Sequence, residues 1–137
     1  MIFSTVREDM GFVEHLLVND KVHKGVSCEG GQIGVLFFDQ TRTQMAAMVR
    51  YKMTDVVPSD WQTLVSLPEG ERFCIPFSLS SYASGCGTTL LNSLRVHCKE
   101  ARVVTLSPRD ESVRRYHCGN GAEVYGESVE FRNFEYR

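Results

Sequence analysis

Apolar residues recur along this chain first in a short run, then at helical spacing, then in β-rich runs, then in strand–helix alternation. Residues 1–6 read as a short strand. Glu8–Leu17 sets Met10, Val13, Leu16 and Leu17 on one helical face, and the polar stretch Asn19–Lys24 fits a loop or a second short helix. After Gly30-Gly31, Ile33–Phe38 is a strand, Asp39–Thr43 a turn and Gln44–Met53 a second strand, together an antiparallel hairpin. Pro58-Ser59-Asp60-Trp61-Gln62 opens a short helix with Ser59 as the expected N-cap and Gln62 at capping-box spacing; Leu67-Pro68-Glu69-Gly70 ends it.

The second half alternates more regularly. Phe73–Leu79 is a strand, and a helix over about Thr88–Lys99 turns Leu90, Leu91, Leu94, His97 and Cys98 inward. Ala101–Leu106 is β-rich. Ser107-Pro108-Arg109-Asp110 predicts a helix start with Ser107 as N-cap, and Cys118-Gly119-Asn120-Gly121 predicts its left-handed stop. Strands over about Ala122–Tyr125 and Ser128–Tyr136 follow, with a break in alternation near Arg132-Asn133 that predicts a bulge. This order is an α/β sandwich with a mixed sheet, and its later strand–helix–strand units should cross over right-handedly with parallel strands.

Composition narrows the field. At 137 residues, with 42% hydrophobic and 23% charged positions, the chain is expected to be one globular domain, residues 1–137, with its own core. Fifteen basic against 17 acidic residues give a net charge of −2, so no broad basic face for nucleic acid is expected. Five scattered cysteines without a C-x-x-C pair argue for reduced thiols in a cytoplasmic setting. Four histidines at positions 15, 23, 97 and 117 show no ligand spacing, so no metal site is expected. No apolar run reaches membrane-spanning length, and no basic segment precedes an apolar N-terminal stretch; neither a span nor a signal peptide is expected.

The chemistry concentrates where Phe73-Cys-Ile-Pro-Phe-Ser-Leu79 runs through Ser-Ser-Tyr82-Ala-Ser-Gly85-Cys-Gly87 into Thr-Thr-Leu90-Leu91. Glycines let a backbone turn with several N–H groups facing one point. The helix that follows adds unpaired first-turn donors and the positive end of its dipole. Such a loop can hold a pyrophosphate without any basic side chain. Read alone, the same residues also describe an ordinary strand-to-helix turn.

These residues resemble the Gcn5-related N-acetyltransferase (GNAT) superfamily. Its pyrophosphate loop, (Arg/Gln)-x-x-Gly-x-(Gly/Ala), lies between a fourth strand and the next helix, where this chain has Tyr82-Ala-Ser-Gly85-Cys-Gly87. The family's later Asn-x-x-Ala-x-x-x-Tyr-x-x-x-Gly-Phe is matched in register by Asp110-x-x-Val113-x-x-x-His117-x-x-x-Gly121-Ala122, followed by two strands. The resemblance covers about residues 73–137. Tyr82, Asp110 and Ala122 depart from the pattern, and His117 takes the position of the family tyrosine with Tyr116 beside it. The Gly-Ala ending also loosely resembles small GNAT-like proteins of tailed phages.

The resemblance implies a three-layer α/β/α sandwich with a mixed, mainly antiparallel sheet, parallel where strands four and five splay. It implies acetyl-CoA or another acyl-CoA as co-substrate, bound by Phe77, Ser78, Leu79, Tyr82, Ser84, Gly85, Cys86, Gly87, Thr88 and Thr89, with Asp110 beside them. Pro76, which cannot donate to a ladder, suits a splayed strand. Acetyl transfer to a primary amine, of a small molecule or a protein, would then proceed by direct attack, with Tyr116 or His117 as the acid. No base stands out; Glu69 and Glu71 are the nearest carboxylates by chain position. Cys86 reads as a small filler residue, and Trp61 with Phe37 and Phe38 as core or acceptor-pocket wall. The alternative is a GNAT-like module without catalysis, sensing CoA or serving as a structural or virion component. The aromatic tail Phe131-x-x-Phe134-x-Tyr136 permits a homodimer.

Overall fold

The computed structural model describes residues 1–9, 16, 20 and 26–137. The helix expected over Glu8–Leu17 and the stretch Asn19–Lys24 lie, apart from Glu8, Asp9, Leu16 and Asp20, outside the described residues. The described strands are β1 (Ile2–Arg7), β2 (Gly31–Phe37), β3 (Met45–Thr54), β4 (Phe73–Ser81), β5 (Arg102–Val104), β6 (Ser107–Pro108), β7 (Glu123–Glu127) and β8 (Phe131–Tyr136). The described helices are α1 (Trp61–Ser66), α2 (Cys86–His97) and α3 (Glu111–Gly119). The strands form one mixed sheet in the order β1-β2-β3-β4-β5-β8-β6, with β7 also on β8. The expected α/β class with a parallel β4–β5 pair is what forms.

The chain divides into two compact units, residues 1–51 with 78–97, and residues 52–77 with 98–137. In the first, β1 pairs antiparallel with β2 from Ile2↔Phe37 to Arg7↔Gln32, and Phe38 N donates to Gln44 O across the turn into β3. Ile33, Val35 and Met48 form an apolar cluster against which Val6, Leu16, Phe37 and Met45 pack. Within that core lies a charged group. Arg50, on β3, is fully buried; its Nε and Nη2 bond the two Glu8 oxygens at 2.9 and 2.6 Å, and its Nη1 bonds Asp20 Oδ2 at 2.6 Å. The fork geometry of a guanidinium suits this pairing with two carboxylates, and a charge held in an apolar interior needs such partners. Gly31 belongs to the same device: a Cβ there would meet Glu8 Oε2 at 2.7 Å.

In the second unit, β8 is the organising strand. It pairs antiparallel with β5 at Val103↔Tyr136 and Val104↔Glu135 and with β6 at Ser107↔Arg132 and Pro108↔Phe131, all in one register. β5 and β6 are therefore one interrupted strand. At the interruption side chains supplement the one remaining backbone bond, Thr105 N to Phe134 O at 2.8 Å: Asn133 Nδ2 donates to Thr105 O at 2.9 Å, and Phe134 N donates to Thr105 Oγ1 at 3.1 Å. The expected bulge is a register shift on the facing strand β7, between Val124 and Gly126, opposite Asn133.

Two helix starts differ from expectation. Asp60, not Ser59, caps α1, its Oδ1 accepting from Thr63 N at 2.7 Å. Asp110, not Ser107, caps α3, accepting from Ser112 N at 2.7 Å, because Ser107 and Pro108 are held in the sheet by β8. In both places the nearer carboxylate out-competes a hydroxyl for the exposed helix amides. The far end of α1 is closed by a residue distant in sequence. Lys52, buried on β3, sends its ammonium to Leu64 O at 2.9 Å and Leu67 O at 2.6 Å.

Candidate functional site

In the first unit β4 runs out at Ser81 and the chain turns through residues 82–85 into α2. Tyr82 N donates to Ala46 O at 2.9 Å, anchoring the turn to β3, and Ser81 Oγ donates to Ala83 O at 2.7 Å. Gly85 has φ +76, a left-handed conformation that favours glycine, and a Cβ there would meet nothing within 4 Å. Open space thus lies directly before the first turn of α2. Cys86 N turns back to Ala83 O at 3.2 Å and Thr89 N to Gly85 O at 3.2 Å. The Gly87 amide lies in the first turn, where helix geometry provides no intrahelical acceptor.

The sequence-predicted loop residues sort by exposure. Tyr82, Ser84, Gly85 and Thr89 are exposed, Thr88 is half-buried, and Cys86 and Gly87 are buried. Ser84 and Thr89 are short and polar, the residue types that can line an anion without filling its space. Cys86 is packed inward, as a filler residue should be.

Along β4 itself, Ser78 and Ser80 are buried and Leu79 is half-buried. Ser78 Oγ donates to Asp20 Oδ1 at 2.5 Å. Burial pushes the Tyr82 phenol above its ordinary value, a hydrogen bond with Ser80 opposes this, and the Asp20 carboxylate adds to the rise. Nothing in the sequence marks Asp20, which lies in a polar stretch 58 residues from its serine.

In the second unit the parallel β4–β5 ladder runs from Arg102 N→Arg72 O at 3.0 Å through Cys74↔Val103 to Leu106 N→Pro76 O at 2.9 Å. In a parallel ladder the residue accepting from Leu106 would also donate to the carbonyl of residue 104, and a proline cannot. Phe77 is buried with its ring edge-on to Trp61 at 5.3 Å between centroids, so Trp61 is a packing residue here.

The two candidate acids on α3 separate clearly. Tyr116 is 37% exposed, whereas His117 is 7% exposed and stacked on Phe134. His117 Nδ1 bonds the Tyr136 hydroxyl, and its Nε2 lies 3.4 Å from Ser107 Oγ, which in turn sits 2.8 Å from Thr105 Oγ1. Burial lowers the imidazole pKa to about 4, so it is neutral at neutral pH. Tyr136, legible in the sequence only as part of an aromatic tail, is its partner. Asp110 is engaged in capping α3, with Ser112 Oγ as a further donor at 2.6 Å. Glu69 and Glu71 are exposed. Among the described residues no group of three or more histidines, cysteines and carboxylates is gathered for a metal ion, and no helix is long and apolar enough to cross a membrane.

Solved structures share this fold. A protein from Desulfovibrio desulfuricans described as an acetyltransferase of the GNAT family superposes with a TM-score of 0.58 at 11% identity, over 98% of this chain and 97% of that one. The Campylobacter jejuni N-acetyltransferase PseH, in complex with acetyl coenzyme A, gives 0.54 at 12% identity over 79% and 68%. The chain has the GNAT fold. A malonyl-CoA decarboxylase from Agrobacterium vitis gives 0.60 at 15% identity over 84% of this chain, which spans only 35% of that larger protein. No protein-family model and no curated protein matches the sequence.

Proposed function

We propose that the chain is an acyl-CoA-dependent N-acyltransferase, most simply one that moves acetyl from acetyl-CoA to a primary amine. The observation that carries this reading is the left-handed Gly85 with open space before it at the start of α2, on a GNAT fold. Two of the solved structures named above, a malonyl-CoA decarboxylase and PseH with acetyl coenzyme A, are named for CoA thioesters, which supports the same cofactor class here. Under this reading the turn around Gly85 and the Gly87 amide hold the pyrophosphate, the Cys86 and Thr89 amides being engaged within the turn, and β4 beyond Pro76, from Phe77 to Leu79, offers backbone to the pantetheine arm.

The amine, in its neutral form, attacks the thioester carbonyl; a C–N bond forms, the C–S bond breaks, the nitrogen gives up a proton to solvent water, and the thiolate takes one. Of the two residues on α3, Tyr116 is the exposed one and is the candidate to supply it. His117, buried and neutral, orients Tyr136 and Ser107 instead. A second reading, a CoA-binding module without turnover, is favoured by that burial of the residue at the family's tyrosine position.

Calorimetric titration separates these readings. Micromolar acetyl-CoA binding by wild type that is lost in Gly85→Glu, with CoA thiol released on adding amines, supports the transferase. Binding without release supports the second reading, and absence of binding by folded protein contradicts both.

A further inference from the structure

Cys74 and Cys98 take no part in the site described above, and they meet. Cys74 lies in β4, fully buried, opposite Val103 in the parallel ladder. Cys98 is the residue after the last of α2 and is half-buried. Its carbonyl accepts from Ala101 N at 2.8 Å, closing a tight turn, and Arg102 N then donates to Arg72 O at 3.0 Å. The turn and the ladder together set Cys98 beside the first residues of β4, where its side chain and that of Cys74 hydrogen-bond to one another. Both cysteines belong to the second compact unit.

The contact makes the two sulfurs unequal. A thiolate at Cys98 accepts the Cys74 S–H, which holds the Cys98 thiol below its ordinary range against the opposing effect of burial. Cys74 moves the other way, raised first by the same hydrogen bond and then by burial. Access and thiolate character therefore coincide on Cys98, and the thiolate is the form that attacks a disulfide. Cys74, behind it, is placed to resolve what Cys98 picks up. Drawing the sulfurs from contact to the roughly 2.05 Å of a bond falls to Cys98, which sits in a turn and not in a ladder.

We propose that Cys74 and Cys98 form a reversible disulfide in the presence of a small-molecule disulfide, closing residues 74–98 into a covalent ring. Cys98 attacks one sulfur of the oxidant, a mixed disulfide forms, and one thiolate leaves. Cys74 then attacks the Cys98 sulfur, the mixed bond breaks, and the second half of the oxidant leaves as a thiolate. The two leaving thiolates take up the two protons that the cysteines give up. Two protein thiols are thus oxidised and one external disulfide is reduced to two thiols. The ring contains Pro76, the glycine loop and α2, so oxidation ties together the two ends of the candidate cofactor segment. None of this depends on acyl-CoA binding.

The experiment equilibrates the fully reduced chain with oxidised glutathione at neutral pH, quenches with acid, alkylates the remaining thiols with excess iodoacetamide in urea, and maps peptides by mass spectrometry. Wild type is expected to hold Cys74 and Cys98 in one disulfide, two hydrogens lighter than the reduced pair and reopened by dithiothreitol. Cys118, exposed on α3, takes up glutathione and reports that the oxidant is active. Cys74→Ala should stop at the Cys98–glutathione adduct, and Cys98→Ser should leave Cys74 reduced. Should Cys74→Ala fail to fold, wild type and Cys98→Ser decide alone. Oxidation should also raise the urea midpoint of wild type by about 1 M, because a closed ring restricts the unfolded chain, and leave that of Cys98→Ser in place. The proposal is overturned if Cys98 in wild type stays reduced or stays at the adduct while Cys118 is modified, if other cysteines pair instead, or if the wild-type midpoint does not move.

Discussion

Leu106 donates its backbone N–H to the carbonyl of Pro76 at 2.9 Å, and Pro76 has no N–H with which to return the bond to Val104. One imino acid thus removes a ladder bond where β4 begins its polar stretch. Pro76→Ala supplies the missing donor. We expect acetyl-CoA affinity to fall several-fold because the strands can pair further, while stability stays level or rises by about 1 kcal/mol, the net value of one hydrogen bond. Paired calorimetric and urea titrations check both.

Gly85 and Gly119 provide a matched comparison, since a Cβ at either would meet nothing within 4 Å. Only Gly85 has positive φ, at +76. Gly119→Ala, in the last turn of α3, should stabilise by about 0.5–1 kcal/mol through helix propensity. Gly85→Ala should destabilise by about 1–2 kcal/mol through left-handed strain. Thermal melts that moved both the same way would contradict this account of the loop.

His117 predicts a pH dependence with a definite sign. Its folded pKa is lowered by burial to about 4 from its ordinary value of 6.5, so the unfolded chain binds the proton more tightly. Stability from this group is fully present above about pH 6.5 and is lost as pH falls towards 4, by at most about 3 kcal/mol at 1.36 kcal/mol per unit. Urea midpoints measured from pH 7 to pH 4 should fall in wild type, and the slope should flatten in His117→Asn. An unchanged slope in the variant assigns the acid loss to other groups.

The buried Arg50 cluster predicts a large effect from a small change. Arg50→Met leaves the Glu8 and Asp20 carboxylates buried without their cation, at a cost of about 3–5 kcal/mol. Gly31→Ala, by pushing on the Glu8 carboxylate, should destabilise in the same direction. Urea unfolding of both variants tests the cluster; a loss under about 1 kcal/mol for Arg50→Met would contradict it.

From β2 onward, β6 apart, the strand and helix order and the left-handed stop of α3 were legible because each is written locally, in hydrophobic period or in glycine placement. Gly121, at φ +90, is such a signal. Helix starts were less legible because Ser59 and Ser107 are good caps in isolation. Only the sheet shows that Ser107 is committed to β8 and that Asp60 and Asp110 stand closer to the helix amides. The Asp20–Ser78 contact and the His117–Tyr136 pair were not legible at all. Each joins residues far apart in the chain, and neither Asp20 nor Tyr136 sits in a motif. Lys52 closing α1 is hidden for the same reason, since nothing in a strand's own sequence says which helix end it will meet.

The central claim is that residues 84–89 hold the pyrophosphate of an acyl-CoA. Hydrogen–deuterium exchange with and without saturating acetyl-CoA tests it most directly. The account predicts protection concentrated in the 84–89 loop and the first turn of α2, absent in Gly85→Glu. Unchanged exchange there, or protection only elsewhere in the chain, would contradict it.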